Sequence, residues 1–350
     1  MRPRYQVLTS KKKNFFFPEN YPDSVRKTYL GYMNYNLLMQ FSSSALGVLS
    51  TQQLLLALGA DSLTASAALN WIIKDGIGQL GGVIYAGTTG NQFDENPKFY
   101  KWISAFSLNI SCFIELLTPL FPGYFLPLAS IGTMGKNISA ISGSASRAAI
   151  HLHMCNENNL ADLTAKSSTQ TTASCLLGTF FGSLCGYYAT TYWVGASFFL
   201  GFSIVHLLSC YKGIGYIELN TLNIQRLDIL LEEYEKSGKI LSAEEVGKRE
   251  RIAIPYKGKV VIGSTKVFEK YERFDKCIIA LEGDIANLVY EENAEAKDMI
   301  LGYVKAKELL YGKGYKIGSL GEFEMMGWNV NRPFLSPNNT RIRFLDEKEV

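Results

Sequence analysis

Over more than half its length this chain has little charge. Residues 28–211 carry 13 Asp, Glu, Lys or Arg side chains in 184 positions, against 54 in the remaining 166. The mean hydropathy of +0.03 therefore averages two different materials. Ser167 to Tyr211 runs 45 residues with no charge at all. As one helix it would be about 67 Å long, roughly twice what a bilayer core needs. It must fold back once, and Ala189-Thr190-Thr191-Tyr192 is the place. A soluble core rarely needs such runs, whereas a membrane does. Other scarcities exclude other classes. The six cysteines (Cys112, Cys155, Cys175, Cys185, Cys210, Cys277) include no CxxC pair, which argues for free thiols over a disulfide framework or zinc site. Of the three histidines, His151 and His153 stand at i and i+2, on different faces of a helix, so no shared metal is expected. The net charge of +3 gives no reason to expect a nucleic-acid partner. Phe15-Phe16-Phe17 is too short for the apolar core of a cleaved signal, leaving the first span to direct insertion. There is no nucleophile–base constellation, so neither an enzyme nor a cofactor is expected.

What remains predicts a mainly α protein: a six-helix transmembrane bundle plus a small cytosolic α+β domain. Six spans fit, at about 33–57, 63–88, 102–121, 124–152, 168–189 and 192–211. Asp61, the polar Gly90–Lys101 loop, Pro122-Gly123 and Cys155–Lys166 separate them. The fourth is long for one crossing. Seven Lys/Arg in residues 1–27, together with Lys98, Lys101, Lys166 and Lys212, fall on one side, and the three opposite loops have none. Six spans with both termini cytosolic satisfy the positive-inside rule; five or seven would not. The predicted organisation is a basic cytosolic arm over 1–27, the six-span region over 28–212, a cytosolic α+β domain over 213–332 and a flexible tail over 333–350. In the α+β part, Thr221–Glu235 reads as an amphipathic helix and Ser242-Ala-Glu-Glu245 as a capping box. Lys259–Gly263 and Cys277–Leu281 read as strands, and Ala294–Leu310 as a helix.

Charges inside the spans are the candidate chemistry, because hydrocarbon makes them costly. Lys74 and Asp75, Glu115 and Lys136 share the middle to outer half of the bundle, and their charges sum to zero. They predict either a polar solute site near the midplane or structural ion pairs; composition leaves both open. Arg147, near the inner end, can snorkel to the interface. Gly178, Gly182 and Gly186, and Gly78 and Gly82, repeat at i+4, while Ser139, Gly143 and Ser146 give the fourth span a small face. Such spacing lets helices approach closely in lipid, with packing inside the bundle favoured over a dimer interface. Asp75-Gly-Ile-Gly-Gln-Leu-Gly-Gly82 is no phosphate loop, since no strand precedes it. The sequons at Asn109 and Asn137 lie within spans and that at Asn338 would be cytosolic, so none is expected to be used.

Several stretches together resemble one known family. They are Phe17-Pro-Glu-Asn-Tyr-Pro-Asp-Ser-Val25, Phe41–Gln52, Asn70-Trp-Ile-Ile-Lys-Asp-Gly-Ile-Gly-Gln-Leu-Gly-Gly82, Gly90-Asn-Gln-Phe-Asp94, Glu115–Phe121, Ser146-Arg-Ala-Ala149, Asn158–Lys166, Gln170, Leu222–Tyr234 and Gly327–Arg332. On these the chain resembles the root UVB sensitive family. The resemblance implies a link to ultraviolet-B sensing in roots, vitamin B6 homeostasis and seedling development, and association with itself or a family paralogue. It carries over no catalytic residue. Its motifs include Lys74, Asp75 and Glu115, and a second, inner-face group of Asp94, Arg147, Asp162 and Lys166. An intramembrane lysine invites a Schiff-base reading, but no phosphate cradle accompanies it. Six spans with a charged cytosolic loop between the second and third are also similar, in topology alone, to half of a major facilitator transporter. The function expected is a transporter-like bundle handling a small polar solute, with the lipid bilayer as its surroundings. The rival is a membrane scaffold whose cytosolic domain binds a partner.

Overall fold

The structure is a computed structural model. It describes residues 15–59, 65–156, 158–266, 268–314, 320–335 and 340–344, so Asp61, Asn338 and the basic residues before Phe15 lie outside the described residues. Six long helices come first: α1 (Tyr29–Leu58), α2 (Ala65–Thr89), α3 (Pro97–Leu117), α4 (Phe125–Met154), α5 (Leu160–Tyr188) and α6 (Tyr192–Ile214). They stand where the six low-charge stretches predict them. Among the described residues, three stretches are long and apolar enough to cross a membrane: Tyr29–Leu58, Pro97–Leu120 and Tyr192–Ile214. The break in the 45-residue uncharged run comes after Tyr188, where Thr191 N-caps α6 by accepting from the Val194 amide at 3.4 Å.

The chain divides into two compact units, and the division is not a single cut. The first holds residues 1–87 and 101–216; the second holds residues 88–100 and 217–350. Of the Gly90–Lys101 stretch, expected as a polar loop, all but Lys101 therefore becomes part of the C-terminal unit, and α3 already begins at Pro97, a residue suited to the first turn of a helix.

In the first unit, α5 lies along α1. A Cβ at Gly178 would sit 2.1 Å from the Phe41 carbonyl oxygen, and one at Gly182 2.8 Å from the Ala45 Cα. Only glycine permits this approach of backbones. Gly186 faces Gln52, whose Nε2 donates to the Gly186 carbonyl at 3.0 Å. Gly78 and Gly82 do the same for α2, against Thr133 and Asn137 of α4. Helices α3 and α4 exchange hydroxyl–carbonyl bonds, Ser104 Oγ to the Ser139 carbonyl at 2.8 Å and Ser139 Oγ to that of Ser104 at 2.7 Å. Both glycine repeats thus pack within the unit. The segment before α1 is tied down as well: Asp162 Oδ2 accepts from the Glu19 amide at 2.7 Å, and Gln170 Nε2 donates to the Phe16 carbonyl at 2.5 Å.

The second unit has a conventional interior. Its chain runs β1 (Thr221–Asn223), α7 (Ile224–Ser237), α8 (Ala243–Arg249), β2 (Val260–Ile262), β3 (Glu272–Phe274), β4 (Cys277–Glu282), β5 (Ile285–Glu291), α9 (Ala296–Tyr311), α10 (Gly321–Met325), β6 (Asn329–Phe334) and β7 (Arg341–Ile342). One sheet has the order β2-β5-β4-β3, with β7 also on β5, and β1 pairs with β6 in a second. Leu227, Leu230, Leu231, Ile279, Leu288, Tyr290 and Tyr303 belong to its core. The Ser242–Glu245 capping box forms at the start of α8. Strand β7 lies in the segment read from sequence as tail, and pairs in parallel with Tyr290–Glu291 of β5.

Candidate functional site

The four charges singled out in the low-charge helices form two separate pairs. On α2, Lys74 Nζ donates to Asp75 Oδ1 at 2.6 Å and lies 4.2 Å from the centre of the Trp71 ring. On α3 and α4, Lys136 pairs with Glu115, which is 1% exposed and fits because Gly132 opposite has no side chain. Lys136 also donates to Ser50 Oγ of α1 at 3.0 Å, and Ser50 in turn donates to the Gly47 carbonyl. No bond joins the two pairs among the described residues.

The Glu115–Lys136–Ser50 chain ties three helices together, and its lysine is not sealed off. Lys136 keeps 26% of its side chain exposed and lines a cavity of about 730 Å³ with Ser44, Thr51, Gln52, Ser183 and Tyr187. A buried carboxylate holds the lysine, and the lysine presents its remaining donor capacity to a space of solute size. Sequence reasoning found Glu115 and Lys136 by depth. It did not pick out Gln52 or Ser50 as site residues, since a lone Ser or Gln in an apolar run gives no charge signal.

The inner-face group is divided between the two units. Asp94 is exposed and belongs to the second unit, whereas Arg147, Asp162 and Lys166 belong to the first. Asp162 holds the N-terminal segment, and Arg147 is half-buried near Tyr32 and Lys101. Lys98 and Lys101, read from sequence as loop charges, are both buried on α3. Among the described residues no group of His, Cys, Asp and Glu could hold a metal ion.

The second unit contains its own buried polar network. Fully buried Arg226 donates from Nε to Glu250 at 2.6 Å and from Nη1 to the Thr221 carbonyl at 2.8 Å, while Lys98 pairs with the other Glu250 oxygen. Burial pushes the Glu250 carboxyl up, but Arg226 and Lys98 outweigh it and hold the group below its ordinary value of 4.5. Asp228 accepts from Tyr256, Tyr303 and Lys307 at 2.6, 2.7 and 2.8 Å. Beside this network lies a cavity of about 270 Å³ lined by Glu95, Lys98, Arg226, Arg251 and Ile254, among others.

Residues 2–238 match the family profile described as a vitamin B6 photo-protection and homoeostasis domain. The chain belongs to the root UVB sensitive family. It is 35% identical to protein root UVB sensitive 4 of Arabidopsis thaliana over 257 residues, 71% of this chain and 49% of that protein. It is 30% identical to root UVB sensitive 3 of the same plant over 244 residues, 68% of this chain and 55% of that one. Its similarity to root UVB sensitive 2, chloroplastic, is 28% over 375 aligned positions, 99% of this chain and 85% of that protein. The chain thus spans about half the length of root UVB sensitive 3 and 4. No solved structure matches it. Several root UVB sensitive motif stretches acquire physical reasons here. Phe17–Val25 and Asn158–Lys166 meet through Glu19 and Asp162, and Phe41–Gln52 receives the α5 glycines. Leu222–Tyr234 supplies Asn223, Arg226 and Asp228, all buried and bonded.

Proposed function

We propose that the helical unit is a six-span bundle in a bilayer, with both ends cytosolic, and that it handles a small polar solute at the Lys136 cavity as part of vitamin B6 homeostasis. The observation that carries this reading is a lysine anchored by a buried carboxylate yet open to a cavity of about 730 Å³. Burying such a pair completely would be a structural solution; leaving one end accessible suits a site. Lipid surroundings are supported by what the helices turn outward. Leu69, Ile72, Leu80, Val83 and Ile84 of α2 are exposed, as are Leu176, Leu177, Phe180 and Leu184 of α5. A bundle of six helices is similar in topology to half a transporter, so the reading includes self-association or pairing with a paralogue. It assigns no chemical reaction to the chain.

The test is cysteine accessibility in liposomes, with native cysteines replaced and single probes at 136, 52 and 183. A water-soluble thiol reagent should label all three, and Lys136→Met should abolish complementation without lowering protein abundance. Complete protection of the three probes, or full complementation by Lys136→Met, sinks the reading.

A scaffold reading has one observation in its favour. Ile254, 71% exposed, borders the polar cavity of the second unit, beside motif residue Arg226. If Ile254→Asp and Arg251→Glu abolish function while Lys136→Met does not, the second unit carries the activity by binding a partner. Residues 213–350 on a foreign anchor would be an unsound test, because Lys98 and its neighbours at 88–100 complete that unit.

A further inference from the structure

Among the described residues four lysines are buried, and three of them have a carboxylate partner. Lys74 pairs with Asp75, Lys98 with Glu250 and Lys307 with Asp228. Lys101 does not. It is 3% exposed, and its ammonium, with three donors to satisfy, makes a single hydrogen bond, to Asn36 Oδ1 at 3.0 Å. The Tyr32 ring centre lies 6.0 Å away. A second cation, Arg147 of α4, is close enough to act on Lys101 electrostatically, as is the Cys210 thiol, and no acid pairs with either cation among the described residues.

The polar groups around these two cations are buried as well. Tyr32 is 1% exposed and its hydroxyl has no hydrogen-bond partner. His151 is 1% exposed; its Nδ1 lies 3.2 Å from the Thr164 hydroxyl, and its Nε2 has no partner. His206, on α6, also feels the Lys101 charge and is itself bonded to Asn109. Tyr32, Lys101, Arg147 and His151 come from α1, α3 and α4, each within about two turns of the same end of the bundle. Two cations that repel one another, with donor groups left over, are stabilised by a negative charge placed among them.

We infer that Lys101 and Arg147, with Tyr32 and His151, form a binding site for a phosphate-type oxyanion at this end of the bundle. Ammonium and guanidinium groups together fit such a group well, the guanidinium by two parallel N–H bonds. The site is separate from the Lys136 cavity and does not depend on what that cavity carries. The phosphate can belong to a dissolved solute or to a lipid headgroup, and the same experiment tells them apart.

The full chain is purified into nanodiscs of neutral phosphatidylcholine, and its melting is followed by tryptophan fluorescence against inorganic phosphate, with chloride at equal ionic strength as control. A second preparation contains phosphatidic acid and no added phosphate. A saturable rise of several degrees in the first preparation assigns a dissolved anion. A rise confined to the second assigns a lipid headgroup. Either rise should vanish in Lys101→Met and in Arg147→Gln, and persist in Lys136→Met. Should Lys101→Met fail to fold, Arg147→Gln decides alone, since that residue is only half-buried. No rise in either preparation, or an undiminished rise in the folded variants, overturns the site.

Discussion

Helix α5 buries Ser167, Gln170, Gly178, Gly182 and Gly186 and turns Leu176, Leu177, Phe180 and Leu184 outward; helix α7 buries Leu227, Leu230 and Leu231 and exposes Glu232, Glu235 and Lys236. The two helices sort their side chains in opposite directions. In α7 the apolar face supplies the driving force, as in any water-soluble domain. In α5 the buried face is too small and polar for that; its contribution is close contact, backbone against backbone, with α1. The outward face would be an aggregation hazard in water and is unremarkable in lipid. What a helix hides is thus as informative about its solvent as what it shows.

The comparison can be broken at four points. The largest effect should come from Arg226→Met, which leaves buried Glu250 with one cation instead of two. Partial loss of a buried charge network costs about 3–5 kcal/mol. It should appear as faster hydrogen exchange in α7 and α8 with α1–α6 unaffected; equal exchange in both units would show that they do not unfold separately. Next is Gly182→Leu, whose added atoms meet the Ala45 backbone, at a cost of about 3 kcal/mol. The variant should lose its monodisperse peak on size exclusion in detergent, while a leucine at open Gly201 should not. Leu177→Arg comes third, at about 2.5–3 kcal/mol if the site faces hydrocarbon and near zero if it faces water. Membrane-fraction abundance decides between these, and no change would remove the contrast between α5 and α7. Smallest is a pH effect confined to the second unit. The Glu250 carboxyl is held below 4.5, so its contribution is fully present above that value and fades as pH falls through the lower folded one. Exchange in α7 should therefore rise only as pH is taken below 4.5, and in Arg226→Met the rise should begin at higher pH.

Much of the helical unit was legible because lack of charge is a long-range signal that needs no partner. The break at Ala189–Tyr192 and most helix ends follow from it to within a few residues, but α5 starts at Leu160, eight residues before the expected 168, and α3 at Pro97, five before the expected 102. Strand β5 escaped, although Gly283-Asp284 between Glu282 and Ile285 is a two-residue hairpin signal. Asn287 interrupts its apolar run, and the partner that makes its buried amide tolerable, Glu282 Oε2 at 3.3 Å, stands across the hairpin on β4. The Lys136–Glu115 pair was half-legible: depth put both charges at one level, but nothing local said that Glu115 would choose Lys136 over Lys74. Lys98 and Lys101 were misread for a related reason. Both lie next to polar residues in sequence, and what buries them comes from elsewhere, Glu250 for one and Asn36 for the other.

The second unit's two-piece construction also sets an order of events during synthesis. Lys98 leaves the ribosome 152 residues before Glu250. At about 5–20 residues per second, it waits roughly 8–30 s for its partner. Residues 88–100 therefore pass much of translation as an unfinished edge, while the helices on either side of them have already emerged. A premature stop or a long pause anywhere between α3 and α8 would leave that edge open, and quality control has a clear feature to recognise: a lysine and a helix start that should have been covered.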